Sequence, residues 1–268
     1  MRLLLALAGW AGCYSPEPQP GAPCPSGVCP EGLTCSPATG TCEVRAIDAA
    51  LPGDASADAP MFDAGALPMI VQQATSHANN VTTLSATLPT TPAAGHMLVM
   101  IGANLSGSIT TVSGGSASWT LAASSLINSN IEVWFGVSTG SGATVTIDRP
   151  ATTASMWMAV SEWSGLATTS PLDVARADAG TGNPLGAGEI TTANARDLLL
   201  FAATTPVPSS HGSPAPDAWT TMQGVTSETT VQGAWYRIET ATGSYSPQVG
   251  HTSSDGWEAA VVAFRLAP

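Results

Sequence analysis

Lysine is absent from the 268 residues, and seven arginines stand against 19 acidic side chains, for a net charge of −12. With no basic stripe to neutralise phosphates, nucleic-acid binding is excluded. Charge of either sign is scarce at 10% while 44% of the chain is hydrophobic, the opposite of a solvated disordered polymer. Aromatics are few, at 6%. No helix-period stretch of useful length occurs between residues 69 and 268, and the apolar run at residues 3–8 is far too short to span a bilayer. What is plentiful is Gly, Pro, Ser, Thr and Val, which together point to one mid-sized exported β-domain with appendages.

The N-terminus has Arg2, the apolar run, and then Gly9-Trp10-Ala11-Gly12-Cys13, the layout of a secretory signal cut before a cysteine. Ala11-Gly12-Cys13 resembles the lipobox of bacterial lipoproteins, with Trp10 where that family usually has Leu. The resemblance implies a signal peptide over 1–12, diacylglycerol on Cys13, and the lipid bilayer as a partner through an acyl anchor. Cysteine arithmetic agrees. Of five cysteines, removing Cys13 leaves Cys24, Cys29, Cys35 and Cys42, an even set among prolines and glycines in a stretch too small for a hydrophobic core. Two disulfides are expected within 13–43, with three connectivities open. A zinc site is the alternative, but no C-x2-C pair is present and the expected compartment is oxidising.

Residues 44–68 turn to Ala, Asp and Pro, with Asp48, Asp54, Asp58 and Asp63 spaced along them, which reads as a disordered spacer. The order of lipobox, four-cysteine segment, Asp/Ala/Pro spacer and β-domain resembles predicted surface lipoproteins of myxobacteria and related bacteria. That resemblance implies an outer-membrane or cell-surface location and carries no activity.

Residues 69–268 alternate in period two between turn-forming residues, and they repeat themselves. Leu98, Trp119 and Trp157 fall on Leu198, Trp219 and Trp257 at a shift of 100, while Trp134, Phe135 and Trp163 fall on Trp235, Tyr236 and Phe264 at 101. The first copy offers strands near 97–104, 117–123, 130–138, 143–148 and 155–163. The second offers them near 197–204, 218–223, 230–239, 244–250 and 257–266, with further strands near 70–88 and 186–192. The expected fold is an all-β, jelly-roll-like antiparallel sandwich with internal duplication; one shared sandwich is favoured over two in tandem. Pro247 weakens the second copy, and 204–217 reads as a surface loop. Pro92-Ala93-Ala94-Gly95-His96-Met97-Leu98-Val99, Ser161-Glu162-Trp163-Ser164-Gly165-Leu166 and Pro171-Leu172-Asp173 resemble uncharacterised bacterial extracellular β-sandwich domains. This implies fold alone.

Catalytic signals are thin. Gly136-Val137-Ser138-Thr139-Gly140 matches G-x-S-x-G, but a β-strand follows where the nucleophile elbow needs a helix, so it reads as a Gly-rich hairpin connection. His77, His96, His211 and His251 lack metal-ligand spacing and read as solvated or hydrogen-bonded. Glu132, Glu162 and Glu239 lack the tight spacing of glycosidase carboxylates, and alternation puts Glu132 on a solvated outer face. No cofactor and no enzymatic activity are expected. Trp119, Trp157, Trp163, Trp219 and Trp257 read as packing residues, whereas alternation turns Trp134 and Trp235 outward beside Glu132 and Arg237. Those four residues are the expected ligand surface of a binding or adhesion module, with a glycan or cell-surface component as partner. A structural envelope protein is the alternative, and a glycan-active hydrolase is third.

Overall fold

The computed structural model describes residues 23–24, 29, 33–36, 40–44, 67–104, 107–116, 118–127, 130–150, 154–206, 211–222, 232–252 and 256–268. Expectations for Cys13 and for most of the spacer lie outside these residues. The chain divides into two units, Met1–Met61 and Phe62–Pro268. In the first, β1 (Leu33–Ser36) and β2 (Thr41–Val44) form a hairpin. Disulfides Cys24–Cys35 and Cys29–Cys42 staple it, resolving the open connectivity and leaving none of these four thiols for zinc.

The second unit is all-β among its described residues, and its strands repeat. The first copy holds β3 (Met69–Val81), β4 (Thr83–Thr87), β5 (Met97–Asn104), β6 (Thr111–Ser113), β7 (Thr120–Ser125), β8 (Ile131–Val137), β9 (Thr144–Asp148) and β10 (Ala154–Ser164). These form one five-stranded sheet, β3-β10-β5-β8-β7, and one three-stranded sheet, β4-β9-β6, all antiparallel. The arrangement is jelly-roll-like, with β7 added to the large sheet beside β8. The second copy holds β11 (Leu172–Thr181), β12 (Leu185–Gly186), β13 (Ile190–Thr191), β14 (Asp197–Thr204), β15 (Thr220–Thr221), β16 (Gln232–Glu239), β17 (Ser244–Tyr245), β18 (Gln248–Val249) and β19 (Gly256–Arg265). Its large sheet, β11-β19-β14-β16-β15, has the same order, and β12-β18 and β13-β17 are the remnants of the smaller sheet. Pro247 separates β17 from β18, since a proline cannot donate to the ladder.

Three apolar clusters define the layers. The two five-stranded sheets pack on each other through Met97, Val99, Phe135 and Trp163 on one side and Leu198, Leu200, Phe264 and Tyr236 on the other. The opposite face of each large sheet is covered by its own small sheet: Leu98, Met100 and Val160 meet Leu84, Val145 and Ile147, while Leu199, Phe201 and Val261 meet Leu185, Ile190 and Val249. The expected single sandwich is therefore corrected to two sandwiches stacked through their large sheets. Both faces of the central strands are covered, which is why β14 is buried at every position.

Strand pairing also corrects the repeat register. Trp163 pairs with Met97 and Phe264 with Leu198, while Trp134 pairs with Met100 and Trp235 with Phe201, so a shift of 101 holds throughout β5, β8 and β10. Met97, not Leu98, is the counterpart of Leu198; Met156, not Trp157, is the counterpart of Trp257. The faces agree, because Trp157 lies in the core between the large sheets and Trp257 in the core inside the second sandwich. A slip of one residue turns a strand's side chains over. Trp119 and Trp219 keep their shift of 100, since Thr120 pairs with Phe135 and Thr220 with Tyr236.

Two more expectations change. β11 is not among the strands the sequence leads one to expect, and residues 211–215, expected as surface loop, run beside β18 through bridges from His211 to His251 and from Ala215 to Gln248. They occupy the place that β6 takes beside β9 in the first copy.

Candidate functional site

The expected outward surface does not form. Glu132 is 2% exposed, its carboxylate accepting the Ile109 N–H at 2.8 Å and the Trp134 indole N–H at 2.8 Å. Trp134 is half-buried against the core of the first sandwich. Burial raises the Glu132 pKa, and the two hydrogen bonds oppose that rise. Trp235 is 3% exposed and stacks on Phe201, ring centroids 5.6 Å apart. Gly233 stands where the first copy has Glu132, and the Trp235 ring folds over it; a Cβ there would overlap the indole. Arg237 is half-buried, ion-paired to Asp217 at 2.5 Å and to Glu239, with its guanidinium 5.7 Å from the centre of the Tyr245 ring. Alternation fails here for one reason: the face opposite the apolar row is roofed by the small sheet in each copy, so it carries a second core instead of solvent.

The other carboxylates are likewise held in structural networks. Glu162, 1% exposed on β10, receives the Ala93 N–H at 2.8 Å, Gln72 Nε2 at 2.5 Å and His96 Nδ1 at 2.6 Å, pinning the loop between β4 and β5. Glu258, fully buried, accepts the Ile127 N–H at 2.6 Å and thereby ties the second copy to the first. Near the strand ends of the second copy, Asp197 lies buried beside Asp173 and Arg265. Burial first, and then the neighbouring Asp173, push its pKa up to about 7. At Asp173 burial acts in the same direction, but hydrogen bonds from the Ala193 N–H, Arg265 and the Asn194 N–H outweigh it and hold the carboxyl low.

Ser138 is 3% exposed, and its hydroxyl donates to the Pro92 carbonyl at 3.3 Å while accepting the Gly140 N–H at 3.1 Å. The Gly-rich segment is a turn that carries the chain from β8 in the large sheet to β9 in the small one, so it crosses between sheets and is not the expected hairpin within one. Gly140 and Gly142 take positive φ there, the conformation for which glycine has no steric penalty.

Beside that turn lies a groove of about 360 Å³, bordered by β7, the end of β8 and the connection between the copies. Phe135, Val137 and Pro171 supply apolar surface; Ser118, Thr120, Thr139 and Thr168 supply exposed hydroxyls around it. Among the described residues, no titratable side chain lines it. It takes shape because Phe135 turns inward to meet Phe264 while the connection at Thr168 and Pro171 passes the edge of β7. Sequence reasoning missed it, because its walls come from residues 118–120, 135–139 and 168–171 and no periodic pattern links them.

No family model, no curated protein and no solved structure matches the chain.

Proposed function

We propose that the chain is an exported lipoprotein, held at the outer membrane or cell surface by acyl chains on Cys13, and that its tandem jelly roll is a binding module for a glycan of the cell envelope or of a neighbouring cell. The observation that carries the binding reading is the groove, with hydroxyls of Ser118, Thr120, Thr139 and Thr168 around the apolar surface of Phe135, Val137 and Pro171. A sugar presents the complement, C–H faces rimmed by hydroxyls, and a site of this size takes one or two rings. Binding without chemistry fits a wall whose described residues offer no general acid or base. The two disulfides are compatible with an extracytoplasmic compartment, and the Cys13 context supports the anchor.

Two experiments test the two halves. Full-length protein should partition into detergent, and Cys13→Ala should release it to the aqueous phase; a mature N-terminus other than a diacylated Cys13 overturns the anchor. A screen of glycans and envelope fractions should return a ligand whose binding is blocked by a bulky residue at Thr168. Retention of that ligand by the blocked variant overturns the groove.

A further inference from the structure

At one end of the second sandwich the segment beside β18 brings His211 opposite His251, from positions 40 residues apart in the chain. Their ring centroids are 6.4 Å apart, with the ring planes at 76°. His251 is 5% exposed, and its Nε2 lies 2.7 Å from the Gly182 carbonyl oxygen. A carbonyl can only accept, so Nε2 carries the proton and the lone pair of the neutral ring sits on Nδ1. That Nδ1 is buried and, among the described residues, has no hydrogen-bond partner. The same holds for both ring nitrogens of His211. Burial, and then the neighbouring His251, lower the His211 pKa to about 4. The Trp235 ring lies on another side, 6.2 Å from His211.

Buried imidazole nitrogens without partners are costly, and a folded protein rarely keeps three of them together without a use. A carbonyl bond to the far nitrogen is the arrangement that orients a metal-binding histidine and fixes its tautomer. An ion bound about 2.0–2.1 Å from a ring nitrogen sits roughly 3.2 Å from the ring centre, so two imidazoles sharing it have centroids roughly 5 to 6.5 Å apart. The observed separation lies at the upper end of that span, where the two rings flank the ion from opposite sides.

We propose that His211 and His251 form a site for a divalent transition metal of the zinc, copper and nickel class, His251 binding through Nδ1 and water completing the coordination. Imidazole suits these ions, and the net charge of −12 draws cations to the chain. The site is independent of the groove, whose lining includes neither histidine.

The test is equilibrium dialysis of the tag-free, oxidised full chain against Zn(II) and, separately, Cu(II). One ion per chain is expected, with affinity falling at least ~10-fold in His211→Ala and in His251→Ala and unchanged in His77→Ala. His251→Ala also removes the bond to Gly182, so the unaltered chain provides a second measurement. In the unaltered chain Zn(II) should shift the imidazole NMR resonances of His211 and His251 and leave those of His77 in place. Absence of uptake at ~0.1 mM ion, uptake unchanged in both variants, or His211 and His251 resonances unmoved by Zn(II) overturns the proposal.

Discussion

Phe135 of the first copy meets Phe264 of the second edge-on, ring centroids 5.3 Å apart. Exchanging the copies turns this pair into Tyr236 and Trp163, which meet in the same way at 5.1 Å. A contact from i to j accompanied by the equivalent contact from j to i is the signature of a two-fold relation. The duplicated units thus pack like the halves of a homodimer joined in one chain, and the large sheets that a lone copy would expose become the centre of the domain.

That interface predicts coupling. Phe135→Ala and Phe264→Ala should each lower stability by about 3–5 kcal/mol, and the double variant should fall short of their sum by about 1 kcal/mol. Denaturant unfolding of the three variants measures it. Strict additivity would mean that the two rings do not contact each other.

Trp235 and Trp134 predict contrasting effects from those of ligand-facing rings. Trp235→Ala should cost about 3–5 kcal/mol, since the ring is buried against Phe201 and over Gly233. Glycan affinity, measured where the variant remains folded, should be unchanged. Trp134→Phe keeps an aromatic ring in place of the indole but leaves one oxygen of Glu132 without its 2.8 Å donor, a loss of about 1–3 kcal/mol. A melting temperature indifferent to both substitutions would place the rings outside the cores.

Asp197 predicts a pH dependence. Its carboxyl holds a proton up to about pH 7 when folded and releases it near its ordinary value of 3.8 when unfolded. The folded state therefore binds more protons between those values, and stability is full below pH 3.8 and declines as pH rises to about 7. The decline is on the order of 4 kcal/mol. Glu132, also raised, adds to it with the same sign. Asp197→Asn should remove most of the decline, followed by urea unfolding at pH 4, 5.5 and 7.5; an unaltered profile would contradict the assignment.

The disulfide pairing predicts that peptide mapping of the non-reduced chain finds Cys24 linked to Cys35 and Cys29 to Cys42, and that none of the four is alkylated before reduction. Because residues 67–268 contain no cysteine, reduction should leave their melting transition in place.

Much of the fold is legible in the sequence, and the reasons for the failures are specific. β5 and β14 run over the expected 97–104 and 197–204, because Met97-Leu98-Val99-Met100 and Leu198-Leu199-Leu200-Phe201 are unbroken apolar runs. The same continuity hides the facing: a run buried on both sides shows no alternation, so nothing in it distinguishes a shift of 100 from 101, and Trp157 and Trp257 were matched across opposite faces. β11 carries a weak sequence signal because Asp173, Arg176 and Asp178 punctuate alanines on an edge strand with little β propensity. Of the candidate site, the outward aromatics were inferred from an alternation that held while the solvent on the far side did not. The groove and the His211–His251 pair depend on chain segments that only the folded topology brings together.

The groove is tested most directly by calorimetric titration of a glycan from the screen into the unaltered full chain and into Thr120→Trp and Thr168→Trp, with melting temperatures measured alongside. Both positions are exposed on its wall, so each indole should fill the space without disturbing either core. The account predicts at least a ~30-fold loss of affinity in each variant, about 2 kcal/mol, with melting unchanged. Glycan binding of equal strength in all three proteins would contradict it.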